Sequence, residues 1–264
     1  MPTLRFLAER LTHRLVLKRR LPRSFGRIPL FVSTEGGLSY FGRGLGRVDP
    51  LLLKMAAELV VPGDVVWDVG ANVGLFAFAA AARAGPTGNV YAIEPDTWLV
   101  GLLRRSAGLE AANRAPVHVL PVAVSNTVGV SRFHIAKRDR ATNYLESCGY
   151  SAQAGGVRET QWVITVTLDW ILEQIPAPNV LKIDVEDAED RALAGASKLL
   201  SSLRPRILCE VSQRNASTVS KILHSFGYTL FDASADRSKR EPLENPVWST
   251  LACPSGGPLS ANIL

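Results

Sequence analysis

A pair of glycines separates an apolar run from an alanine-rich run, in the sequence DVGANVG at residues 68–74. Gly70 and Gly74 allow a tight turn and a close approach of the backbone to a ligand. A helix beginning at Gly74 would leave unpaired N–H groups that point at that ligand. The G-x-x-x-G spacing differs from the G-x-G-x-x-G of dinucleotide enzymes, and no Gly-Lys-Ser/Thr follows, which excludes a P-loop. The alternative is tight packing without a ligand.

A second candidate site residue is an acid. Glu94, in the sequence Glu94-Pro95-Asp96, ends the next predicted strand. An acid at this point of a doubly wound sheet is placed to bind two ribose hydroxyls of an adenosine ligand. Such a sheet brings the carboxyl ends of both strands to one crevice, so the two signals support each other. The alternative for Glu94 is an exposed turn acid.

Charged residues also interrupt two apolar strands near the C-terminus. Lys182 and Asp184 alternate with apolar residues, so they share one face of a strand. A charged pair inside a parallel sheet is costly unless it is paired or functional. Glu210 stands in a second apolar strand, either as an ion-pair partner of Lys182 or as a substrate-binding or base residue. Lys182, Asp184 and Glu210 are therefore the catalytic candidates, and Asp184 or Glu210 could accept a proton.

Apolar runs alternate with helical patterns through most of the chain, which predicts an α/β fold with a mostly parallel sheet. The 264 residues suit one large domain. Strands are predicted over 65–69, 89–93, 117–124, 162–166, 180–185, 206–211, 228–232 and 247–253. Helices are predicted over 51–60, 74–83, 98–109, 168–174, 188–200 and 216–225, the first capped by Asp49.

The alternation breaks between residues 125 and 160. Residues 125–136 have the pattern of a hairpin insertion, and residues 137–160 are polar with several glycines. A loop of this length inside a compact domain is usually functional or mobile. We expect a lid or substrate loop that carries Asn143 and Tyr144, and the alternative is a plain surface loop.

The ordered set DVGANVG, AIEPD, VAVSN, TLDW, LKIDVEDAE and CEVS resembles the FkbM family of methyltransferases over roughly residues 65–252. The resemblance implies a class I, Rossmann-like fold with helices on both faces of the central sheet and an antiparallel C-terminal strand. It also implies S-adenosylmethionine as cofactor and O-methylation of a sugar, glycolipid or other natural product. The family's usual glycine in DVEGAE is Asp187 here. Asp tolerates unusual backbone angles, although the change could narrow the site or alter the substrate.

Carried onto this sequence, the resemblance implies two sets of contacts. The substrate would be faced by Glu186 and Glu210, and Asp184 would lie close to the sulfonium methyl group. The cofactor would be held by Asp68, Val69, Gly70, Ala71, Asn72, Gly74, Leu75, Glu94, Pro95, Asp96, Val122, Ala123 and Asp184.

Composition and charge distribution narrow the classes of protein and of binding partner that remain possible. Residues 1–27 hold eight basic residues and one acid, whereas the rest of the chain holds 22 basic and 23 acidic residues. That near-neutral body argues against a nucleic-acid partner. Three scattered cysteines without metal-site spacing fit a reducing compartment, and no apolar run is long enough to span a bilayer. We therefore expect a cytoplasmic enzyme without a metal; a nicotinamide-dependent oxidoreductase and a non-catalytic cofactor-binding module are the alternatives.

The basic N-terminus has its own pattern. Leucines recur at helical spacing over residues 3–20, and basic residues fall four apart on another face, which predicts an amphipathic helix. It could pack on the body, act as a transit peptide or attach the protein to an anionic membrane surface. We expect residues 1–48 to form a basic helix and a Gly-rich extension. Residues 49–264 would then form the methyltransferase domain, with its insertion at 125–160.

Overall fold

A computed structural model describes residues 15–42, 44–149 and 154–256 of the chain. Its strands are β1 Val16–Arg20, β2 Pro29–Ser33, β3 Val65–Val69, β4 Asn89–Ile93, β5 Val117–Leu120, β6 Ala123–Val124, β7 Gly129–Ala136, β8 Tyr144–Leu145, β9 Val157–Val166, β10 Val180–Ile183, β11 Arg206–Glu210, β12 Tyr228–Asp232, β13 Pro242–Leu243 and β14 Ser249–Pro254. Its α-helices are α1 Ser39–Gly42, α2 Pro50–Leu59, α3 Leu75–Ala84, α4 Thr97–Ala107, α5 Leu168–Leu172, α6 Glu189–Ala194 and α7 Ala216–Ser225.

Eight strands form the central sheet, in the order β13-β12-β14-β11-β10-β3-β4-β5. The five strands from β11 to β5 are parallel, and β14 is inserted antiparallel between β11 and β12. The chain winds from β3 outward to β5 and then returns to β10 on the other side of β3. This order confirms the predicted fold class. The reversal between β3 and β10 is where such sheets bind ligands, at the carboxyl ends of the strands.

The core divides between the two faces of this sheet. Side chains of β3 alternate, so that Val66 packs with residues of α2, α3 and α4, whereas Trp67 packs with residues of α5, α6 and α7. Period-two alternation with apolar residues on both sides is what a strand covered on both faces requires. Helices packed on both faces therefore fix the position of the strands, and with them the polar side chains at the strand ends.

The predicted strand at 162–166 does not join the central sheet. It is the end of β9, which pairs with β7 and β6 in a second sheet of order β6-β9-β7-β8. The predicted strand at 117–124 is likewise divided, because Pro121 has no N–H for a ladder and separates β5 from β6. The predicted helix at 188–200 ends at Gly195, where a Cβ would lie 2.6 Å from the backbone oxygen of Ser125.

The predicted helix at 3–20 is wrong over its last turn. Val16–Arg20 is a strand that pairs antiparallel with β2, because the tertiary pairing overrides a helical spacing of leucines. Residues 3–14 lie outside the described residues. The division of the chain at residue 48 stays a prediction. No described helix has both the length and the apolar character needed to cross a membrane.

Candidate active site

A cleft of about 330 Å³ opens at the carboxyl ends of β3, β4, β10 and β11. Its size lies within the range of small-molecule sites. Eleven of the residues predicted from the sequence line it: Gly70, Ala71, Asn72, Leu75, Glu94, Pro95, Asn143, Lys182, Asp184, Glu186 and Glu210. Seven others lie outside its lining: Asp68, Val69, Gly74, Asp96, Val122, Ala123 and Tyr144.

The glycine turn is imposed by its backbone and by its neighbours. Gly70 and Gly74 have φ of 75° and 91°. A Cβ on Gly70 would overlap the backbone oxygen of Asp184, and one on Gly74 would lie 2.8 Å from the Leu103 side chain. Both positions therefore need glycine for packing as well as for any ligand.

The N–H groups of this turn are already used inside the protein. Those of Gly70 and Ala71 donate to the Ile93 carbonyl at 3.0 and 3.1 Å, and that of Asn72 donates to the Glu94 carboxylate at 2.9 Å. Leu75, the first residue of α3, does line the cleft. A ligand would therefore meet the start of the helix, since the N–H groups of Gly70, Ala71 and Asn72 are already bonded within the protein.

Glu94 stands at the end of β4, as predicted, with its carboxylate held by backbone donors. Its Oε2 accepts the Asn72 N–H and its Oε1 accepts the Asp96 N–H, each at 2.9 Å. Burial raises the pKa of Glu94 to about 8. A carboxylate oxygen has two acceptor positions, so each oxygen keeps one for a ligand hydroxyl.

Asp96 is fully buried and anchors an arginine that sequence reasoning missed. Asp96 caps α4 by accepting the Trp98 N–H, and its Oδ2 pairs with Arg140 and accepts the Asn143 amide at 2.8 Å. Arg140 also lies 2.6 Å from Glu35. We call Glu35, Asp96, Arg140, Asn143 and Arg158 the arginine network.

The arginine network is balanced in charge. Arg158 lies 3.1 Å from the same Glu35 oxygen that Arg140 contacts. Burial alone would raise the pKa of Glu35, but hydrogen bonding and charge from Arg140, with the charge of Arg158, outweigh burial and lower it. The network therefore holds the 137–149 segment against the body by paired charges.

Lys182 is the centre of a second, unbalanced group of charges. Its Nζ lies 3.0 Å from Asp184 Oδ2 and 3.1 Å from Asp68 Oδ1, and it donates to the Gly70 carbonyl at 3.1 Å. Burial would lower the pKa of Lys182, but Asp184 and Asp68 outweigh burial and raise it. Lys182 thus takes Asp184 and Asp68 as ion-pair partners; among the described residues, no cation lies within 4.0 Å of Glu210.

Two glutamates share the cleft with Asp184. Burial, followed by repulsion from Asp184, raises the pKa of both Glu186 and Glu210 to about 8. We call Lys182, Asp184, Glu186 and Glu210 the acidic cluster. It places two carboxyl groups that titrate near neutrality beside one fixed ion pair.

Other parts of the chain complete the cleft. Tyr40 and Asp49 come from the N-terminal segment, and Arg140 comes from the insertion. Asp49 was recognised as the cap of α2, which it is, through a 2.9 Å bond from the Leu52 N–H. Tyr144 is buried against His134, with ring centroids 5.2 Å apart, instead of lining the cleft.

Asp187 stands where the family usually has glycine, and its backbone is in the left-handed region. Its φ is 57°, two residues before the start of α6. Asp tolerates this region better than most side chains do. The position therefore has a backbone conformation that glycine would also favour.

Residues 68–230 match the family model of the methyltransferase FkbM domain. The chain belongs to the FkbM methyltransferase family. It is an S-adenosylmethionine-dependent methyltransferase, as the sequence predicted, and the nicotinamide oxidoreductase alternative is wrong.

Two curated relatives are similar to this chain. The 31-O-demethyl-FK506 methyltransferase FkbM of Streptomyces tacrolimicus is 30% identical over 210 residues, 69% of this chain and 78% of that protein. The hexuronic acid methyltransferase AglP of Haloferax volcanii is 29% identical over 163 residues, 61% of this chain. The match spans 60% of AglP, less than two thirds of its length.

Solved structures show more distant likeness. A methyltransferase FkbM from Methylobacillus flagellatus has 15% identity and a TM-score of 0.44, covering 76% of this chain and 50% of that one. An O-methyltransferase from Thermotoga maritima has the same identity and TM-score, covering 86% of this chain and 72% of that one.

Proposed function

We propose that this methyltransferase methylates a hydroxyl group of a sugar or another natural product. Its relatives are named for a hexuronic acid and for a demethylated FK506, which favours an oxygen acceptor. The observation that carries the proposal is the Glu210 carboxyl, which lines the cleft with a raised pKa and has no cation within 4.0 Å among the described residues. A group of this kind suits removal of a hydroxyl proton.

The residues of the cleft fit the cofactor in charge and in hydrogen-bonding chemistry. Glu94 would hold the ribose hydroxyls, and the segment from Gly70 to Leu75 would lie along the methionine part. Bound S-adenosylmethionine supplies an electrophilic methyl group on a positively charged sulfur. The cleft is lined by five carboxyl groups and two cations, and a bound cationic ligand would favour the ionised form of the carboxyl groups whose pKa values are raised.

Glu210 is the better candidate for the base than Asp184. Asp184 is already compensated by Lys182 at 3.0 Å. Glu210, with a pKa of about 8, accepts a hydroxyl proton in its ionised form, and the ionised fraction rises as the pH passes from neutral towards 8. In this assignment Lys182 fixes Asp184 and Glu210 receives the proton of the acceptor, while Glu186 and Asn143 line the cleft.

Calorimetry with S-adenosylhomocysteine tests the cofactor part. We expect binding to the wild type, and we expect Glu94→Ala to weaken it by more than about tenfold, because ribose hydrogen bonds to a buried carboxylate are lost. Glu146→Ala, an exposed acid of the insertion, is the matched control and should leave the affinity unchanged. Tight NAD binding without S-adenosylhomocysteine binding would contradict the proposal.

Labelled methyl transfer tests the acceptor part. Neutral hexosides, hexuronic acids and macrolides are incubated with labelled S-adenosylmethionine, and the product is hydrolysed under conditions that distinguish ethers from esters and amines. The proposal expects an ether. Transfer only to nitrogen or to a carboxylate would contradict it.

We also propose that the basic N-terminus contacts an anionic membrane surface. Eight basic residues and one acid in residues 1–27 support this, since each basic residue near such a surface contributes about 1 kcal/mol. In the described part, Lys18 and Arg20 are exposed on β1. The full chain should float with anionic liposomes at low salt and be released at high salt. A variant with Arg10, Arg14 and Lys18 changed to Gln should not float; equal flotation of both proteins would contradict the proposal.

A further inference from the structure

A second cavity of about 240 Å³ adjoins the cleft on the side of β14. The two spaces share four lining residues, Asp49, Leu52, Lys182 and Glu210, and the second space adds Trp248 among others. Glu210 thus stands at the junction between them. A residue that takes a proton from an acceptor has to lie where the cofactor space meets the acceptor space.

The backbone fixes Trp248 beside Glu210. Strand β14 runs antiparallel to β11, with Ser249 directly opposite Glu210. The Val211 N–H donates to the Trp248 carbonyl at 2.8 Å. Trp248 directly precedes β14, and this backbone bond ties it to the central sheet, which is the rigid support that a binding platform needs.

Trp248 is nevertheless 52% exposed. A tryptophan can bury a large apolar area on binding, and a half-exposed one at the wall of a cavity has that area available for a ligand. The apolar C–H face of a sugar ring or a macrocycle can lie against the indole, while its hydroxyls project from the ring edge. Because Glu210 lines the same cavity as Trp248, a hydroxyl of a ring held in this way would face Glu210.

We infer that this second cavity is the acceptor subsite and that Trp248 is the platform on which a ring-bearing acceptor lies, with one hydroxyl directed at Glu210. The inference rests on the proposed function and specifies it. Trp248 determines acceptor affinity, Glu210 takes the proton, and the larger cleft receives the cofactor.

The chain offers a matched control. Trp162 on β9 is 72% exposed and lines neither cavity. It has the same side chain and greater exposure, so any general affinity of sugars for exposed indoles would appear there as well.

The test uses the full chain labelled with 5-fluorotryptophan and saturated with S-adenosylhomocysteine. The five tryptophans give separate fluorine resonances, and Trp248→Phe and Trp162→Phe assign the two of interest. Titration with methyl β-glucopyranoside should shift the Trp248 resonance saturably and leave the Trp162 resonance in place. A fixed Trp248 resonance, or equal shifts of both, overturns the inference.

Kinetics give a second readout with the acceptor that is methylated best in the labelling screen. Trp248→Ala should raise the acceptor KM by about tenfold, with kcat and the affinity for S-adenosylhomocysteine unchanged, and Trp248→Tyr should restore most of the loss. Trp162→Ala should change nothing. An unchanged KM in Trp248→Ala overturns the subsite while the enzyme stays active, whereas absence of any cofactor binding or methyl transfer overturns the proposed function itself.

Discussion

Two groups of charges border the same cleft and differ in balance. The arginine network sets Arg140 and Arg158 against Glu35 and Asp96, all joined by contacts of 3.1 Å or less. The acidic cluster sets Lys182 alone against three carboxyl groups, of which only Asp184 is in contact with it. The first lowers the pKa of its glutamate, and the second raises the pKa values of both of its glutamates.

This difference in charge balance distinguishes a group of side chains that fixes the structure from a group that can exchange protons. Carboxylates whose charges are compensated stay ionised and fix the segments that they join. Carboxyl groups that are buried without compensation exchange protons near neutral pH, which suits acid–base chemistry. The arginine network therefore shapes the cleft, and the acidic cluster is the part that we expect to take part in the reaction.

The largest effect should follow from removing the one cation of the acidic cluster. Lys182→Met leaves Asp68, which is fully buried, without its partner. We expect a loss of about 3–5 kcal/mol in unfolding free energy, as for other broken buried pairs. Urea denaturation measures it. Lys198→Met, which removes an exposed pair with Glu173, is the control and should cost at most about 1 kcal/mol; equal losses would contradict the distinction.

Glu210→Gln should have the next largest effect, on rate rather than on folding. Without the proton acceptor we expect turnover to fall at least about 100-fold, with affinity for S-adenosylhomocysteine preserved. Initial rates and calorimetry on the same sample measure both. Turnover within a factor of two of wild type would remove Glu210 from the reaction.

Breaking the arginine network should loosen the cleft without stopping proton transfer. Arg140→Met removes a charged partner from Asp96, but Asp96 keeps the Asn143 amide and Glu35 keeps Arg158, so we expect a smaller loss of about 1–3 kcal/mol in stability. Limited proteolysis should cut the 137–149 segment faster than in the wild type, while the pH dependence of turnover keeps its shape. A changed pH profile would mean that the two groups of charges are not separate.

The smallest effect concerns stability against pH. The pKa values of Glu186 and Glu210 are about 8 in the folded protein, above the ordinary value of 4.5. Their contribution to stability is therefore complete below about pH 4.5 and is lost as pH rises towards 8. Thermal melts should show a Tm that declines over this window, less so in the Glu186→Gln/Glu210→Gln double variant. Parallel curves for the two proteins would contradict the raised pKa values.

Local patterns predicted the central sheet well. The strands at 65–69 and 89–93 and the helix at 216–225 have the predicted bounds, because each is a short apolar or amphipathic run between clear turn signals. The helix predicted over residues 16–20 is wrong, because the spacing of apolar residues within that segment cannot show its pairing with β2. Most cofactor candidates lie at the cleft because the ends of parallel strands meet at one edge.

The rest of the site depends on contacts that sequence spacing does not encode. Arg140 reaches Glu35 and Asp96, which are 105 and 44 residues away. Trp248 meets Glu210 only because β14 is inserted beside β11. The sequence is compatible with Glu210 as the ion-pair partner of Lys182 and with Glu210 as a reactive residue. Only the geometry shows that Asp68 and Asp184 are the partners of Lys182.

The most direct test of the central claim is a carbon-13 NMR titration of the glutamate side-chain carboxyls in the folded chain. Glu210→Gln identifies the Glu210 signal, and Glu35 serves as the internal comparison from the arginine network. We expect a midpoint of about pH 8 for Glu210, while Glu35 titrates below its usual pKa of 4.5. A Glu210 midpoint near 4.5, or one that coincides with that of Glu35, would contradict the distinction between the arginine network and the acidic cluster.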